Sequence, residues 1–235
     1  MAQHAKPIRV GRTGWALPAT SDADFPQSGR HLERYARRFR TVEISSSFYR
    51  HYLPRTYARW AATVPADFHF AVKLPRAVTH DARLGERLGP LLVQLLPSLA
   101  FDAARAAAIA CEPRHPSWFT DAADALLAEA RIARVAADPA LMPAAACPGG
   151  WTGLAYHRLH GSPIIYRSPY PALALDADAA TLLDEAVAAP VWCFFDNWDY
   201  PDATDTCRTQ GGVSMSRTHR PSPPECRGGA PRAEQ

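Results

Sequence analysis

Short apolar runs alternate with segments of helical spacing along most of this chain. The run IRVG (8–11) predicts a first strand, and HLERYARRF (31–39) follows with Leu32, Tyr35, Ala36 and Phe39 at helical spacing. TVEIS (41–45) predicts a second strand. A helix is predicted over 54–64, opened by Pro54, whose missing N–H costs nothing in a first turn. Further strands are predicted at 69–75 (HFAVKLP), 91–97 (LLVQLLP), 108–114 (AIACEPR), 132–138, 154–161 and 191–197, and further helices at 120–130, with Thr120 as N-cap, and at 176–187. Eight strands with helical crossovers predict an α/β fold whose parallel sheet closes as a TIM-like (β/α)8 barrel. No glycine-rich fingerprint follows the first strand, which weighs against an open dinucleotide-binding sheet.

The pattern also predicts that this barrel is incomplete. The segments after the third and fourth strands, RAVTHDARLGERLGP and LAFDAARAA, leave room only for helical stubs, since a parallel crossover needs about a dozen residues or more. After Asn197 the composition turns to Pro, Gly, Ser and Arg with few aliphatic residues. Residues 1–197 are therefore expected to form the barrel, and 198–235 a disordered tail with no closing helix. A frameshift near residue 198 would produce such a tail.

Composition adds boundaries. The chain has 235 residues, 47% hydrophobic, enough for one large α/β core, and its formal charge of +3 is too small to argue for nucleic acid. The start MAQHAKPIRV lacks the apolar stretch of a secretory signal, and no run approaches the roughly 18 apolar residues that cross a bilayer. The five cysteines are scattered with no C-x-x-C pair, which predicts free thiols and a cytoplasmic, soluble protein.

Candidate chemistry follows from strand alternation, because a barrel site forms where the strands end. In the second strand Val42 and Ile44 take the helix side, so Glu43 and Ser45 point into the barrel mouth. A buried, unpaired carboxylate costs several kcal/mol, roughly, so Glu43 needs a counter-charge: Lys73, Arg114 or Arg158. Ala71 and Lys73 share a face of the third strand, and Gln94 interrupts the leucines of the fourth. Glu112 and Arg114 share a face of the fifth. Tyr156, Arg158 and His160 alternate with outward Ala155, His157 and Leu159 in the seventh. The eighth ends in Asp196–Asn197, where parity does not say which faces in. For any one of these residues a structural ion pair is the alternative; five strands contributing together point to a shared site. Trp15, in the first exit loop, is a candidate wall for a ligand pocket. His80 and His115 are equally loop residues, and Asp138 before Pro139 reads as a turn residue.

Taken in order, GRTGW (11–15), TVEISSSFYR (41–50), HFAVKLPRAVTH (69–80), GPLLVQLLPS (89–98), CEPRHPSW (111–118), YHRLHG (156–161) and FFDN (194–197) strongly resemble the DUF72, or YecE-like, family. The resemblance covers residues 8 to about 197. It implies a TIM-barrel-like fold and no known reaction. The family's motif positions correspond to Gly14, Trp15, Glu43, Phe48, Tyr49, Lys73, Gln94, Glu112, Arg114, His115, Arg158, His160 and Asp196. There are departures: GRTGW replaces GTSGW and brings in Arg12, EISS replaces EINS so that Ser45 stands for an asparagine, and Leu96 stands for a proline.

Three functions fit these residues. The first is an enzyme on a small anionic or polar substrate, with Glu43, Glu112 and His160 as acid–base groups and Trp15, Lys73, Gln94, Arg114, Arg158 and Asp196 binding substrate. The second is a metal-dependent phosphodiesterase or nuclease, with Glu43, Glu112, His160 and Asp196 as ligands; nearby Lys and Arg and the lack of an H-x-H or H-E-x-x-H cluster weigh against it. The third is a non-catalytic or decayed binding protein. The residues name no cofactor and no membrane or nucleic-acid partner.

Overall fold

The computed structural model describes residues 5–17, 25–26, 28–76 and 109–197. The predicted strand at 91–97 with Gln94, His80, the two short crossovers and the tail from 198 lie outside the described residues.

Nine strands and four α-helices alternate through the described residues. They are β1 (Ile8–Arg12), α1 (His31–Ala36), β2 (Thr41–Ile44), α2 (Pro54–Thr63), β3 (His69–Val72), β4 (Ile109–Cys111), α3 (Asp121–Glu129), β5 (Ile132–Arg134), β6 (Ala136–Asp138), β7 (Gly149–Gly150), β8 (Ala155–Leu159), α4 (Ala172–Glu185) and β9 (Val191–Phe195). Parallel pairing runs β1–β9–β8–β6 in one sheet, β2–β3 in a second and β4–β5 in a third. A single parallel bridge, Thr13 to Glu43, ties β1 to β2. The architecture is mixed α/β with parallel strands. Among the described residues no pairing joins β3 to β4, so no closed barrel is seen. No described helix is long and apolar enough to cross a membrane.

The core lies between the helices and the outer strand faces. Leu32, Tyr35, Ala36 and Phe39 from the α1 region meet Val42 of β2, Leu159 of β8, Val191, Cys193 and Phe195 of β9, and Leu175 and Leu182 of α4. These are the alternate strand positions that the period of two assigns to the helix side. Tyr35, fully buried, donates from its hydroxyl to the Thr41 carbonyl at 2.9 Å and accepts the Arg12 N–H at 3.0 Å, pinning the end of β1 to the start of β2.

Helix ends follow the sequence signals. Pro54 opens α2, and the Thr120 hydroxyl accepts the Ala123 N–H at 3.3 Å to cap α3. The predicted helix at 31–39 stops at Ala36, where the Arg37 N–H turns to the Arg34 carbonyl; Phe39 still reaches the core from the following turn. The predicted strand at 132–138 is split at Val135. β5 pairs β4 and the two-residue β7, while β6 pairs β8.

Of the three described cysteines, Cys111 and Cys193 are free thiols, whereas Cys147 is disulfide-bonded, against the expectation of free thiols throughout. Two sulfurs bond when the fold brings their backbones within reach, which spacing along the chain does not reveal.

Candidate functional site

The parallel strands all end on one side, and their polar side chains gather there. β8 carries the central one. Tyr156, Arg158 and His160 lie on its inner face, Ala155 and Leu159 join the core, and outward His157 bonds Glu185 of α4 at 2.6 Å. This is the alternation read from the sequence.

Arg158 is buried at the centre of three carboxylates. Its Nη1 donates to Glu112 Oε2 at 2.6 Å, and its Nη2 to Glu43 Oε1 at 2.9 Å and Asp196 Oδ2 at 2.7 Å. Its Nε finds no partner among the described residues. Burial opposes the guanidinium charge, but Glu43, Asp196 and Glu112 outweigh it and raise its pKa further. The counter-charge of Glu43 is thus Arg158. Glu43 also accepts the Tyr156 hydroxyl at 2.7 Å and the Ser45 hydroxyl at 3.0 Å. Where the family pattern has an asparagine, Ser45 supplies a donor to the same carboxylate.

His160, 1% exposed, lies between two carboxylates: Nδ1 is 3.0 Å from Asp196 Oδ2 and Nε2 is 2.9 Å from Glu112 Oε1. With a carboxylate oxygen facing each nitrogen, the surroundings favour the protonated ring. Burial disfavours that charge, but the hydrogen bonds to Asp196 and Glu112 prevail and raise the pKa above its ordinary 6.5. Burial likewise pushes the Glu112 carboxyl up, yet the hydrogen bond from His160 and the charges of Arg158, His160 and Arg114 hold it well below the carboxylate range. Asp196 is lowered in the same way, against burial, by His160, Arg158 and Thr13.

The rim is more open. Arg114, its side chain 58% exposed, places Nη2 2.5 Å from Glu112 Oε1 and 3.3 Å from His160 Nε2, so that two cationic donors converge on one oxygen. Lys73 is half-buried, with Nζ 4.5 Å above the centre of the Phe48 ring. Burial first, and then Arg158, lower its pKa. It makes no ion pair among the described residues. Beside Glu112 and Arg114 opens a cleft of about 230 Å³, otherwise lined by apolar side chains that include Phe119 and Leu141.

Glu43, Glu112, Arg158, His160 and Asp196 are therefore in direct contact, with Arg114 at their edge and Lys73 close by. Trp15 is not brought to them: it packs edge-to-face on Trp60 at 4.9 Å, against the core. His115 caps its own turn by accepting the Ser117 N–H at 3.3 Å. Asp138 turns its carboxylate to the Tyr170 hydroxyl at 2.7 Å, and only its carbonyl meets the cluster, accepting the His160 N–H at 2.7 Å. Arg12 is buried at the end of β1, with Nη1 donating to the Ala16 carbonyl at 3.4 Å.

Two participants escaped the sequence reading. Thr13 donates from its hydroxyl to Asp196 Oδ1 at 2.6 Å; alternation continued past the predicted end of β1 would have found it. Tyr166, at φ 68, presents an edge-to-face ring 5.9 Å from His160. It sits in a loop without periodicity, and no sequence signal marks it. Among the described residues no three His, Cys, Asp or Glu side chains are arranged to hold a metal ion; the Arg158 guanidinium fills the space that the three carboxylates surround.

Fold and site define an α/β protein whose parallel strands end in a buried arginine–carboxylate–histidine cluster. The chain belongs to the DUF72 family: the model of that protein family of unknown function matches residues 9–223. Two crystal structures share its fold. A DUF72 protein of Enterococcus faecalis V583 is 17% identical with a TM-score of 0.65, over 89% of this chain and 97% of that one. A DUF72 protein of Thermotoga maritima MSB8 is 20% identical with a TM-score of 0.59, over 86% and 97%. No curated protein is significantly similar to this chain.

Proposed function

We propose that the chain is a cytoplasmic enzyme performing general acid–base chemistry on a small anionic or polar substrate, at the mouth of an incomplete TIM-like barrel. The barrel reading is supported by the succession of parallel neighbours from β3 through β2, β1, β9 and β8 to β6, which is how such a barrel orders its strands.

The observation that carries the reading is the chain Asp196–His160–Glu112. His160 is shut off from solvent, so it acts through Glu112, which borders the cleft. The pair holds one labile proton, on His160 Nε2 at rest and 2.9 Å from Glu112 Oε1. Moving it to Glu112 turns that carboxyl into an acid facing the substrate, and the emptied pair then serves as a base. Asp196 keeps the imidazole oriented and charged, Arg158 holds the three carboxylates in place, and Arg114 and Lys73 receive an anionic group.

The acid form lasts as long as His160 stays protonated. Activity should hold through neutral pH and fall as pH rises past the elevated His160 pKa. Asp196→Asn removes a hydrogen bond that raises this pKa, so its alkaline limb should move to lower pH.

Ligand class is tested by thermal unfolding, followed through the tryptophans, against small acids, phosphates, sugars and divalent metals. A ligand at 100 times its Kd stabilises by about 2.7 kcal/mol, a readable shift of the midpoint. The expected result is a shift with an anion that disappears in Arg114→Gln. Equal shifts in wild type, Glu112→Gln and His160→Gln would leave the cluster a structural ion-pair network, and a shift with a metal alone would transfer the reading to metal-assisted hydrolysis.

A further inference from the structure

We infer that the cleft beside Glu112 takes a compact monoanion with an apolar body, such as a branched aliphatic or phenyl-bearing monocarboxylate, its charged end on Arg114 and its hydrocarbon against Phe119, Leu141 and Ile165. The inference rests on the acid–base reading of the same site and names its substrate class.

Polarity is the first argument. Glu112 and Arg114 are the charged side chains of the lining, and the rest includes Phe119, Val135, Ala137, Ala140, Leu141 and Ile165. A sugar or polyol placed there would lose water from hydroxyls that these side chains cannot satisfy, whereas a hydrocarbon loses nothing. Leu141 and Ile165 are 56% and 43% exposed, so the cleft carries apolar surface that such a ligand would cover.

Charge is the second. With His160 protonated, the cluster and its rim hold four cations (Arg158, His160, Arg114 and Lys73) against three carboxylates (Glu43, Glu112 and Asp196), which leaves one positive charge. A monoanion brings the site to neutrality; a dianion overshoots. The contacts of Arg114 use Nη2, so Nη1 and Nε remain to grip a carboxylate.

Size is the third. At about 30 Å³ per water, 230 Å³ amounts to roughly eight waters, room for a ligand of about ten non-hydrogen atoms. Drug-sized ligands occupy pockets of about 300–1,000 Å³, so this cleft suits a smaller one.

The test is calorimetric titration of the full chain with acetate, isobutyrate, isovalerate and phenylacetate, beside the alcohols of the same shapes, inorganic phosphate and glucose. Kd should fall about fourfold for each methylene buried, until the cleft is full. The alcohols should bind about tenfold or more weakly than the acids, and Arg114→Gln should erase that difference, since a hydrogen bond to a charged group is lost. Ala140→Trp, which fills the cleft, should abolish the chain-length dependence; circular dichroism checks that both variants fold. A Kd that ignores chain length, or phosphate or glucose binding as tightly as phenylacetate, overturns the inference. If such polar ligands also lose their binding in Arg114→Gln, the acid–base reading survives that failure. Absence of binding by every compound overturns both.

Discussion

Glu43 lies in the middle of a strand and is 4% exposed, a position that water cannot reach and an ionised carboxylate cannot hold alone. Arg158, Tyr156 and Ser45 hold it there. Removing one member of a buried ionic cluster costs more than the cluster contributes, because the others stay buried and unpaired. Arg158→Met is therefore expected to lose about 3–5 kcal/mol at pH 7. The loss should shrink in acid. Glu112 and Asp196 are depressed below their ordinary 4.5 and 3.8, so their contribution is present above those values and fades as pH falls through the lower folded ones. Urea midpoints of both proteins at pH 7 and pH 3.5 measure this, and a gap that stays constant would mean the carboxylates do not repel. Alternation chose Glu43, Arg158 and His160 because a strand leaves a side chain only two directions. An exit loop imposes no such choice, and so Trp15 could turn to Trp60 and the core.

At the scale of elements, α4 carries a partly buried liability. Burial, and then the charge of Asp138, push the Asp178 carboxyl up to about 6 from 3.8. Because its folded pKa is raised, the stability it contributes is complete below 3.8 and is lost as pH rises through about 6. Asp178→Asn should therefore raise stability at pH 7 by at most about 3 kcal/mol, at about 1.4 kcal/mol per pKa unit, and should change nothing at pH 3.5. Denaturant midpoints at the two pH values decide it; equal effects at both would show that Asp178 is not titrating. The elements themselves were legible: every predicted strand and helix among the described residues is present, and Pro54 and Thr120 stand where helices start. What periodicity missed was the break at Val135 and the strand β7. Both depend on partners distant in sequence, since β5 follows β4 while β6 follows β8. Gly149 can lie on Arg134 because it has no side chain to collide with that guanidinium.

The whole molecule depends on seams between such elements. β1 pairs β9 along its length and touches β2 mainly through its exit, where the Gly14 N–H donates to the Glu43 carbonyl at 2.8 Å. Gly11 makes this approach possible: a methyl group there would collide with the Thr41 carbonyl oxygen, which is backbone and cannot step aside. Gly11→Ala should force the strands apart and lower stability by about 1–3 kcal/mol, a typical cost of overpacking. The same shift should loosen the Thr13–Asp196 bond, so the imidazole NMR signals of His160 should move as well. An unchanged melting midpoint with unchanged imidazole signals would show that the seam tolerates the methyl. Solved DUF72 proteins at 17% and 20% identity retain this fold.

By itself the sequence determined the order and kind of the elements, the family, and which side of β2, β3 and β8 is polar, since these follow from local periodicity and from motifs in linear order. Only the tertiary structure decided the partners. It paired Glu43 with Arg158 rather than Lys73 or Arg114, brought Asp196 to His160 and Thr13 to Asp196, took Trp15 away, and set the apolar cleft beside Glu112. Those outcomes are distances between residues as much as 183 positions apart, set by strand register and helix packing, and no pattern along the chain encodes them one by one.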